Sequence, residues 1–219
     1  MKKPEERKKV RIYGAGGHSQ VICEILEHND CEVTGVLDDN PSGSHYAFKK
    51  VYKGLKTNSK NFMHDGDPII IAVGLNKERA EISRYLKCDF EKAIHHTSVI
   101  AKSVKISKGT VVFAGAIVQP NTIIGKHVII NTSASVDHDN VIGDYAHISP
   151  KVTLCGHVEV GEGSLIGAGA VVIPKVKIGK WCTIGAGAVI LKDVPDYSTV
   201  VGNPGRIIKA KNNFTEEEN

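Results

Sequence analysis

One histidine in the second half of the chain lies between two carboxylates. It is His138, in the run Val136-Asp137-His138-Asp139-Asn140. A neutral imidazole, with an ordinary pKa of about 6.5, is suited to accept a proton at cellular pH. A neighbouring carboxylate can fix the tautomer of the ring and stabilise the imidazolium, and the sequence leaves open whether Asp137 or Asp139 has that role. His138 is therefore a candidate for proton transfer.

A glycine-rich turn near the N-terminus could bind a phosphate. The run Gly14-Ala15-Gly16-Gly17-His18 follows an apolar strand pattern and precedes a helical one, so the first amides of that helix would point at an anion. Asp38 and Asp39 end the next strand pattern, where such folds hold a ribose or a base. Ser19 replaces the third glycine of a dinucleotide motif, and the small size of the region favours a nucleoside diphosphate. A tight turn without a ligand is the alternative.

The elements that would position this turn alternate between strands and helices. The patterns predict, in order, a strand at Val10–Tyr13, a helix at Ser19–His28, a strand at Cys31–Leu37, a short strand near Val51, a strand at Pro68–Val73 and a helix from Lys77 to about Leu86. This order, with its glycine turn and acidic pair, is typical of a small parallel α/β nucleotide-binding domain.

The region around His138 follows a different period. From Ile100 to Val194 an aliphatic residue recurs every six positions, and a mostly small residue follows each one four positions later, in sixteen consecutive hexads. A six-residue repeat is typical of a parallel β-helix in which three hexads close one coil and residues eighteen apart stack. With strands about 4.8 Å apart, the hexads predict a little over five coils and a prism roughly 25 Å tall. No long loop interrupts them, so we expect a smooth prism without a pocket of its own.

The eighteen-residue repeat predicts where the histidines lie. Gly156 stacks on His138 and leaves a notch beside the imidazole. His157 stacks on Asp139, and a plain surface pair is the alternative explanation for that histidine. His147 is nine residues from His138, on the opposite side of the same prism. We therefore predict a symmetric trimer whose grooves bring His147 of one subunit to a substrate at His138 of the next. A surface histidine without a role is the alternative for His147.

The composition argues against several classes of function. Aromatic residues make up 5% of the chain, and a net charge of +4 with 24% charged residues of both signs does not indicate nucleic-acid binding. The five cysteines include no CxxC pair, which favours reduced thiols and a cytoplasmic protein. No apolar stretch in the sequence is long enough to span a membrane. Neither Cys155 nor Cys182 has an obvious base beside it, so a structural role is expected for both.

Residues 9–208 resemble the bacterial family of nucleotide-linked amino-sugar N-acetyltransferases, together with sialic-acid O-acetyltransferases. The motifs that carry the resemblance are Tyr13-Gly14-Ala15-Gly16-Gly17-His18, Leu37-Asp38-Asp39, Ala72-Val73-Gly74-Leu75-Asn76, the segment from Asn131 to His147, and the closing segment from Val194 to Arg206. The resemblance implies acetyl transfer from acetyl-CoA to the amine of a nucleotide-linked amino-deoxy sugar, in bacterial glycan precursor biosynthesis. It also implies that His138 is the base. Asp139 stands where the family often has glutamate.

The resemblance extends to the binding residues. It implies a sugar-nucleotide site at Gly14, Gly16, Gly17, His18, Asp38, Asp39, Gly74 and Asn76, and further catalytic residues at Asp139, His147 and Asn131. Acetyl-CoA is expected in a groove between prisms, along Gly156, Gly167, Ala168, Ala186 and Pro204, with Arg206 and Lys209 as candidates for its phosphates. No metal ligand is predicted.

The predicted organisation has four parts: a tail at 1–9, an α/β Rossmann-like nucleotide-sugar-binding domain at 10–95, an all-β left-handed parallel β-helix at 96–208 and a tail at 209–219. Two other functions stay open. A sialic-acid O-acetyltransferase would share the architecture, but its acceptor need not carry a nucleotide. A trimer with bridging histidines could instead hold zinc, as γ-type carbonic anhydrases do. The histidines do not show that arrangement, and the N-terminal domain would be unexplained.

Overall fold

The computed structural model describes residues 7–40, 51–53 and 66–210, and the N-terminal part of them forms a parallel four-stranded sheet with two helices. The elements are β1 (Lys8–Tyr13), α1 (Gly17–His28), β2 (Cys31–Asp38), β3 (Val51–Lys53), β4 (Ile69–Ile71) and α2 (Asn76–Tyr85). The strand order is β3-β2-β1-β4. The predicted α/β elements are confirmed. Most of the segment between β2 and β4 lies outside the described residues.

Apolar periodicity explains why these elements pack together. In α1, Ile22, Ile25 and Leu26 recur at helical spacing and are buried against Val10 and Ile12 of β1. Burying one such side chain contributes about 1.5–3 kcal/mol. Neither helix can be a membrane span, since no helix among the described residues is both long and apolar enough to cross a bilayer.

From residue 93 onward the chain consists of short strands. They are β5 (Ala93–Ile94), β6 (Val99–Ile100), β7 (Lys105–Ile106), β8 (Val111–Val112), β9 (Ile117–Val118), β10 (Ile123–Ile124), β11 (Ile129–Ile130), β12 (Ser135–Val136), β13 (Val141–Ile142), β14 (His147–Ile148), β15 (Thr153–Leu154), β16 (Glu159–Val160), β17 (Leu165–Ile166), β18 (Val171–Val172), β19 (Lys177–Ile178), β20 (Thr183–Ile184), β21 (Val189–Ile190), β22 (Thr199–Val201) and β23 (Arg206–Lys209). Sheet I contains β5, β8, β11, β14, β17, β20, β22 and β23; sheet II contains β6, β9, β12, β15, β18 and β21; sheet III contains β7, β10, β13, β16 and β19.

The register of the three sheets follows the hexads. Neighbouring parallel strands pair residues eighteen apart, for example Ile130 with Ile148 and Ile142 with Val160. The aliphatic and small positions of the hexads point inward and form one continuous buried core. The parallel β-helix is therefore confirmed, and its core is filled by stacked aliphatic side chains, as the low aromatic content suggests.

Both ends of the β-helix differ from the prediction. Ala93 of β5 already pairs with Val111 of β8, so the β-helix begins at residue 93 and not at residue 96. At the other end Thr183 pairs with Thr199, sixteen residues on, because the last coil is two residues short of the repeat. β23 then turns back antiparallel to β22 and reaches Lys209, a residue assigned to the C-terminal tail. The N-terminal end extends the hexad register by one strand, and only the C-terminal end departs from the period.

The α/β domain packs against the outward face of sheet I. Val111, Phe113 and Ile129 point away from the core of the β-helix and are buried with apolar residues of α1 and β1. The next residue up that face is His147, which pairs with Ile129. This contact brings the glycine turn of the α/β domain next to His147.

Candidate active site

The glycine turn leaves the N-terminus of α1 open. Gly14 has φ +107°, and a Cβ there would lie 2.8 Å from the Ala72 carbonyl oxygen, so the turn requires glycine. Gly16 is the N-cap of α1, which no side chain caps. A Cβ at Gly16 or Gly17 would meet nothing within 4 Å. Gly16 and Gly17 are also exposed, so the N-terminus of α1 is accessible to a ligand, as in the phosphate sites that helix N-termini form.

The two aspartates at the end of β2 have different surroundings. Asp38 Oδ2 accepts a hydrogen bond from the Ala15 amide at 2.6 Å, and its Oδ1 accepts one from the Asn40 amide at 2.7 Å. Asp38 therefore holds the glycine turn in place. Asp39 Oδ1 is buried and has no hydrogen-bond partner in the described part of the chain. Because a buried acceptor without a donor is costly, Asp39 is the better candidate to contact a ligand.

Asn131 and His147 form a pair where the α/β domain meets sheet I. The Thr132 amide donates to Asn131 Oδ1 at 2.8 Å, which directs Asn131 Nδ2 towards His147 Nε2 at 3.0 Å. An accepting Nε2 carries no proton, so the neutral ring is protonated at Nδ1. The ring also hydrogen-bonds the backbone of Gly74, and burial followed by the nearby charge of Arg79 lowers the pKa of His147 to about 3. His147 is therefore a neutral hydrogen-bonding group and a poor proton acceptor.

His18 lies beside this pair with one nitrogen unused. Its ring centroid is 5.1 Å from that of Phe113. Burial, followed by the charge of Arg79, lowers its pKa to about 4, so the ring is neutral. Nε2 is buried and has no hydrogen-bond partner among the residues described. A polar substrate atom would relieve the cost of that unpaired nitrogen.

Arg79 of α2 joins the two domains, and the sequence analysis did not identify it. Its side chain is buried, with 1% of the residue exposed. Nε donates to the His127 carbonyl oxygen at 2.8 Å, and Nη2 donates to the Tyr145 carbonyl oxygen at 2.8 Å. Both acceptors belong to the β-helix. A guanidinium offers five N–H donors in a fixed geometry, so this one side chain can bind several backbone groups at once.

The other donors of Arg79 hold the turn between β4 and α2. Nη1 donates to the Val73 carbonyl oxygen at 2.9 Å and to that of Gly74 at 3.1 Å. Nη2 donates to Asn76 Oδ1 at 2.8 Å. Two predicted substrate residues, Gly74 and Asn76, are thus fixed relative to the β-helix by a single cation.

A sequence signal for Arg79 does exist. Arg79, Ile82 and Leu86 have the i, i+3, i+7 spacing of one helix face. An arginine on an apolar stripe indicates a buried cation that must find hydrogen-bond acceptors. Those acceptors come from the β-helix and from the β4–α2 turn, so only the tertiary structure identifies them.

A cleft of about 880 Å³ extends from His147 along sheet I. Residues 73–78 form one wall, and Leu165, Thr183 and Trp181 form the other. The volume is in the range of small-molecule sites. Asn76 also donates from Nδ2 to the Gly163 carbonyl oxygen at 3.0 Å, which closes the end of the turn onto the β-helix. The pocket therefore forms between the domains, although the β-helix alone is smooth.

His138 lies elsewhere, in the turn between β12 of sheet II and β13 of sheet III. Its Nδ1 is 2.7 Å from Asp139 Oδ2, and that hydrogen bond raises the pKa of His138 above its ordinary value. Asp137 Oδ1 instead accepts a bond from the His138 amide at 2.8 Å. Asp139 is therefore the carboxylate that orients the ring. Nε2 lies beside Gly156, where a Cβ would approach within 2.8 Å.

The residues proposed for acetyl-CoA lie at two corners of the β-helix. Gly156 is beside His138, between sheets II and III. Gly167, Ala168 and Ala186 follow strands of sheet I and lie, with Asn131, between sheets I and II. A Cβ at Gly167 would be 2.6 Å from the Ala186 amide nitrogen, so the stacked turns expose backbone with little side chain.

The closing segment ends at the corner between sheets I and II. The Gly205 amide donates to the Val189 carbonyl oxygen at 2.8 Å. Pro204, Arg206 and Lys209 are exposed there. Two cations are thus available at the end of the surface formed by Gly167, Ala168 and Ala186. Within one chain this corner and His138 remain separate.

Two protein families match the chain. Residues 9–86 match the PglD N-terminal domain, and residues 139–173 and 157–192 match the bacterial transferase hexapeptide (six repeats). The UDP-N-acetylbacillosamine N-acetyltransferase of Bacillus subtilis (strain 168) is 41% identical over 114 residues, 49% of this chain. The match spans about half of that curated relative, 52% of its length.

Several solved structures are similar over almost the whole chain, among them the following two. One is a mutant perosamine N-acetyltransferase from Caulobacter crescentus in complex with CoA and GDP-perosamine: it is 32% identical, with a TM-score of 0.86 over 92% of this chain and 97% of that one. The other is the acetyltransferase domain of PglB from Neisseria gonorrhoeae FA1090 in complex with acetyl coenzyme A: it is 33% identical, with a TM-score of 0.81 over 92% and 100%. With both domains matched in one order, the chain belongs to the family of sugar N-acetyltransferases that join a PglD N-terminal domain to a hexapeptide-repeat β-helix.

Proposed function

We propose that this protein transfers an acetyl group from acetyl-CoA to the amine of a nucleotide-linked amino-deoxy sugar. The observation that carries the proposal is the hydrogen bond between His138 and Asp139, in the notch beside Gly156. The ligands of the similar solved structures, GDP-perosamine with CoA and acetyl coenzyme A, support the two substrate classes.

The proposed chemistry needs one proton acceptor. Attack of a neutral sugar amine on the thioester carbonyl forms a C–N bond and breaks the C–S bond, and the nitrogen must lose a proton. His138 Nε2 takes that proton, while Asp139 at Nδ1 fixes the tautomer and stabilises the imidazolium. The imidazolium then protonates the departing thiolate. The buried thiol of Cys182 has a pKa raised by burial, so it is a poor nucleophile and no covalent enzyme intermediate is needed.

The α/β domain would bind the nucleotide. In this proposal the open amides at Gly16 and Gly17 hold the diphosphate, and Asp39 contacts the ribose or the base. Gly74 and Asn76 border the cleft that leads to His147. His147 lines that cleft and Asn131 bonds it. With the unpaired Nε2 of His18, these two side chains would orient the acceptor sugar. Asp38 contributes indirectly, because it holds the glycine turn.

Acetyl-CoA would lie along the corner of Gly167, Ala168 and Ala186. The stacked turns there present backbone amides with little side chain, which suits a long thin ligand. The exposed Arg206 and Lys209 would face its phosphates, and Pro204 lies in the same closing segment. Since this corner and His138 are separate in one chain, a neighbouring subunit would complete the site.

We therefore propose a homotrimer with three shared grooves. The outward faces of sheets II and III support this, because each carries exposed aliphatic side chains: Val99 and Ile117 on sheet II, and Ile123 and Val141 on sheet III. Exposed apolar rows on a prism are typical of surfaces that pack against another copy. A closed ring of three copies would cover both faces of every subunit.

The function is tested with a panel of acceptors. Thiol release from acetyl-CoA would be followed with UDP-, dTDP- and GDP-linked amino sugars, with the matching hydroxyl sugars as controls, and with free sialic acid. We expect turnover with at least one amino-sugar nucleotide and none with its hydroxyl counterpart. Acetylation of sialic acid alone would instead establish an O-acetyltransferase.

The shared groove is tested with mixed oligomers. Inactive His138→Ala and impaired His147→Ala proteins are dissociated, mixed and reassembled. We expect hybrids to recover activity above that of either parent, because some grooves then receive both intact histidines. If sedimentation shows a monomer, or if the hybrids recover nothing, the shared groove is wrong.

A further inference from the structure

Asp139 is placed between two imidazoles, and only one of them belongs to the proposed reaction. Asp139 Oδ2 lies 2.7 Å from His138 Nδ1 and 3.7 Å from His157 Nε2. The two rings are 5.2 Å apart between centroids and nearly perpendicular, at 89°. Among the described residues this is the group of three potential metal-ligand side chains whose donor atoms all lie within 4.8 Å of one another.

Two of the three distances between these donor atoms are close to those around a tetrahedral ion, and the third is within 4.8 Å. Zinc binds imidazole nitrogen and carboxylate oxygen at about 2.0–2.1 Å, which puts neighbouring ligand atoms of a tetrahedron about 3.3 Å apart. The Asp139–His138 and Asp139–His157 distances, 2.7 and 3.7 Å, bracket that value. Two nitrogens and one oxygen favour Zn²⁺ and similar transition-metal ions over Mg²⁺ or Ca²⁺, which prefer sets of oxygen ligands.

The remaining oxygen of Asp139 is already oriented. Asn121, one coil below, donates from Nδ2 to Asp139 Oδ1 at 3.1 Å. This leaves Oδ2 directed at the two histidines. Hydrogen bonds to the non-coordinating atoms of metal ligands orient the ligands and strengthen binding. The eighteen-residue repeat places Asn121, Asp139 and His157 in successive turns of one corner, so the group needs no side chain from a distant element.

We propose that His138, Asp139 and His157 form a binding site for Zn²⁺, or a divalent ion of the same class, and that its occupancy inhibits acetyl transfer. The inhibition rests on the proposed function, since an ion bound at His138 Nδ1 would leave the ring proton on Nε2, and the base atom could then accept no proton from the amine. The binding does not depend on that function. A metal at this site removes the free imidazole, so it stops the reaction and does not support it.

Binding is measured first and without substrates. The purified protein competes with a chromophoric chelator for Zn²⁺, and Mg²⁺ is the comparison ion. We expect one high-affinity equivalent per chain, which His157→Gln weakens more than about 10-fold. The matched control is His28→Gln, because His28 is an exposed histidine in a separate cluster with His95 and His96. Unchanged Zn²⁺ affinity in His157→Gln would overturn the site.

A second variant keeps all three ligands. Asn121 has φ +62°, a backbone conformation that glycine adopts without strain, so Asn121→Gly removes only the side chain that orients Asp139. We expect about 10-fold weaker Zn²⁺ binding in this variant. If Asn121→Gly binds Zn²⁺ as tightly as wild type does, the proposed site is wrong. This test remains valid even if His157→Gln does not fold.

Inhibition is measured last, as the ratio of rates with and without Zn²⁺ for each variant. We expect wild type and His28→Gln to lose activity with Zn²⁺ and to recover it with a chelator, and His157→Gln to need more than about 10-fold more Zn²⁺. If Zn²⁺ binds but the ratio stays at one, the inhibitory role is wrong. If no acceptor supports turnover, the proposed function fails while the binding result stands.

Discussion

The two histidines of the proposed site, His138 and His147, show how one side chain acquires opposite properties in two regions. His138 lies in an exposed turn of the β-helix, and its bond to Asp139 raises its pKa. His147 is covered by the α/β domain, and burial beside the Arg79 cation lowers its pKa to about 3. The first is therefore the better proton acceptor, and the second stays neutral.

The difference in pKa comes from the partners of the two rings: His138 lies in a turn and His147 in β14 of the same repeat. Each histidine is positioned by the same hexad repeat, nine residues apart. The Asp139 carboxylate bonds the ring of His138. The ring of His147 is buried and lies near the Arg79 cation. Acid–base function is therefore expected at the corner of sheets II and III, and hydrogen-bonding function at the interface between the domains.

The largest expected effect is the loss of the base. His138→Ala should lower kcat by about 10²–10⁴-fold, because no other group in the proposed site takes the amine proton. His28→Ala, on an exposed surface of α1, is the control and should turn over normally. Steady-state kinetics and sedimentation would be measured together. If folded His138→Ala turns over at a near-normal rate, His138 is not the base, and the proposed difference between the roles of His138 and His147 is wrong.

The second effect concerns the cation beside His147. Arg79→Met leaves buried carbonyl oxygens without donors, each worth roughly 1–3 kcal/mol, while it also removes a buried charge. We expect the free energy of unfolding to fall by about 3–5 kcal/mol, with weaker sugar-nucleotide binding. Denaturant unfolding is compared with that of Arg84→Met, an exposed arginine on the same helix. Equal stability of the two variants would mean that Arg79 does not hold the domains together.

A smaller effect separates the two aspartates of the nucleotide site. Asp39→Asn should raise KM for the sugar nucleotide about 10–100-fold, as expected for one charge-assisted hydrogen bond, and should leave KM for acetyl-CoA and the melting temperature unchanged. Asp38→Asn should instead lower the melting temperature, because Asp38 holds the Ala15 amide. If both variants change both KM values equally, the acidic pair is structural.

The smallest effect is a shift in pH dependence. The bond to Asp139 raises the pKa of His138, and the base works only when neutral, so activity should fall as the pH drops through that raised pKa. In Asp139→Asn the acid limb of kcat/KM should move to lower pH, with a reduced plateau. Asp137→Asn is the comparison variant: Asp137 also raises the pKa of His138 through its charge but does not bond the ring, so the shift of the acid limb should be smaller than in Asp139→Asn. If the acid limb of kcat/KM does not move in Asp139→Asn, Asp139 does not control the pKa of His138.

The amino-acid sequence by itself determined the repeat and much of the chemistry. The hexads specify register because every sixth side chain must be buried, and a shift by one residue would expose the whole aliphatic series. The same periodicity by itself places Gly156 against His138 and His157 near Asp139. The strand, glycine turn and helix of the α/β domain follow from equally local patterns.

Only the tertiary structure decided how the two domains meet. The burial of Arg79, its bonds to the carbonyls of His127 and Tyr145, and the cleft beside His147 all depend on contacts between residues far apart in sequence. Which carboxylate orients the ring of His138, Asp139 or Asp137, depends on the direction of the side chains in a turn. Periodicity reports which face of an element is buried. It does not report which distant partner covers that face, and the pKa values and the cleft depend on that partner.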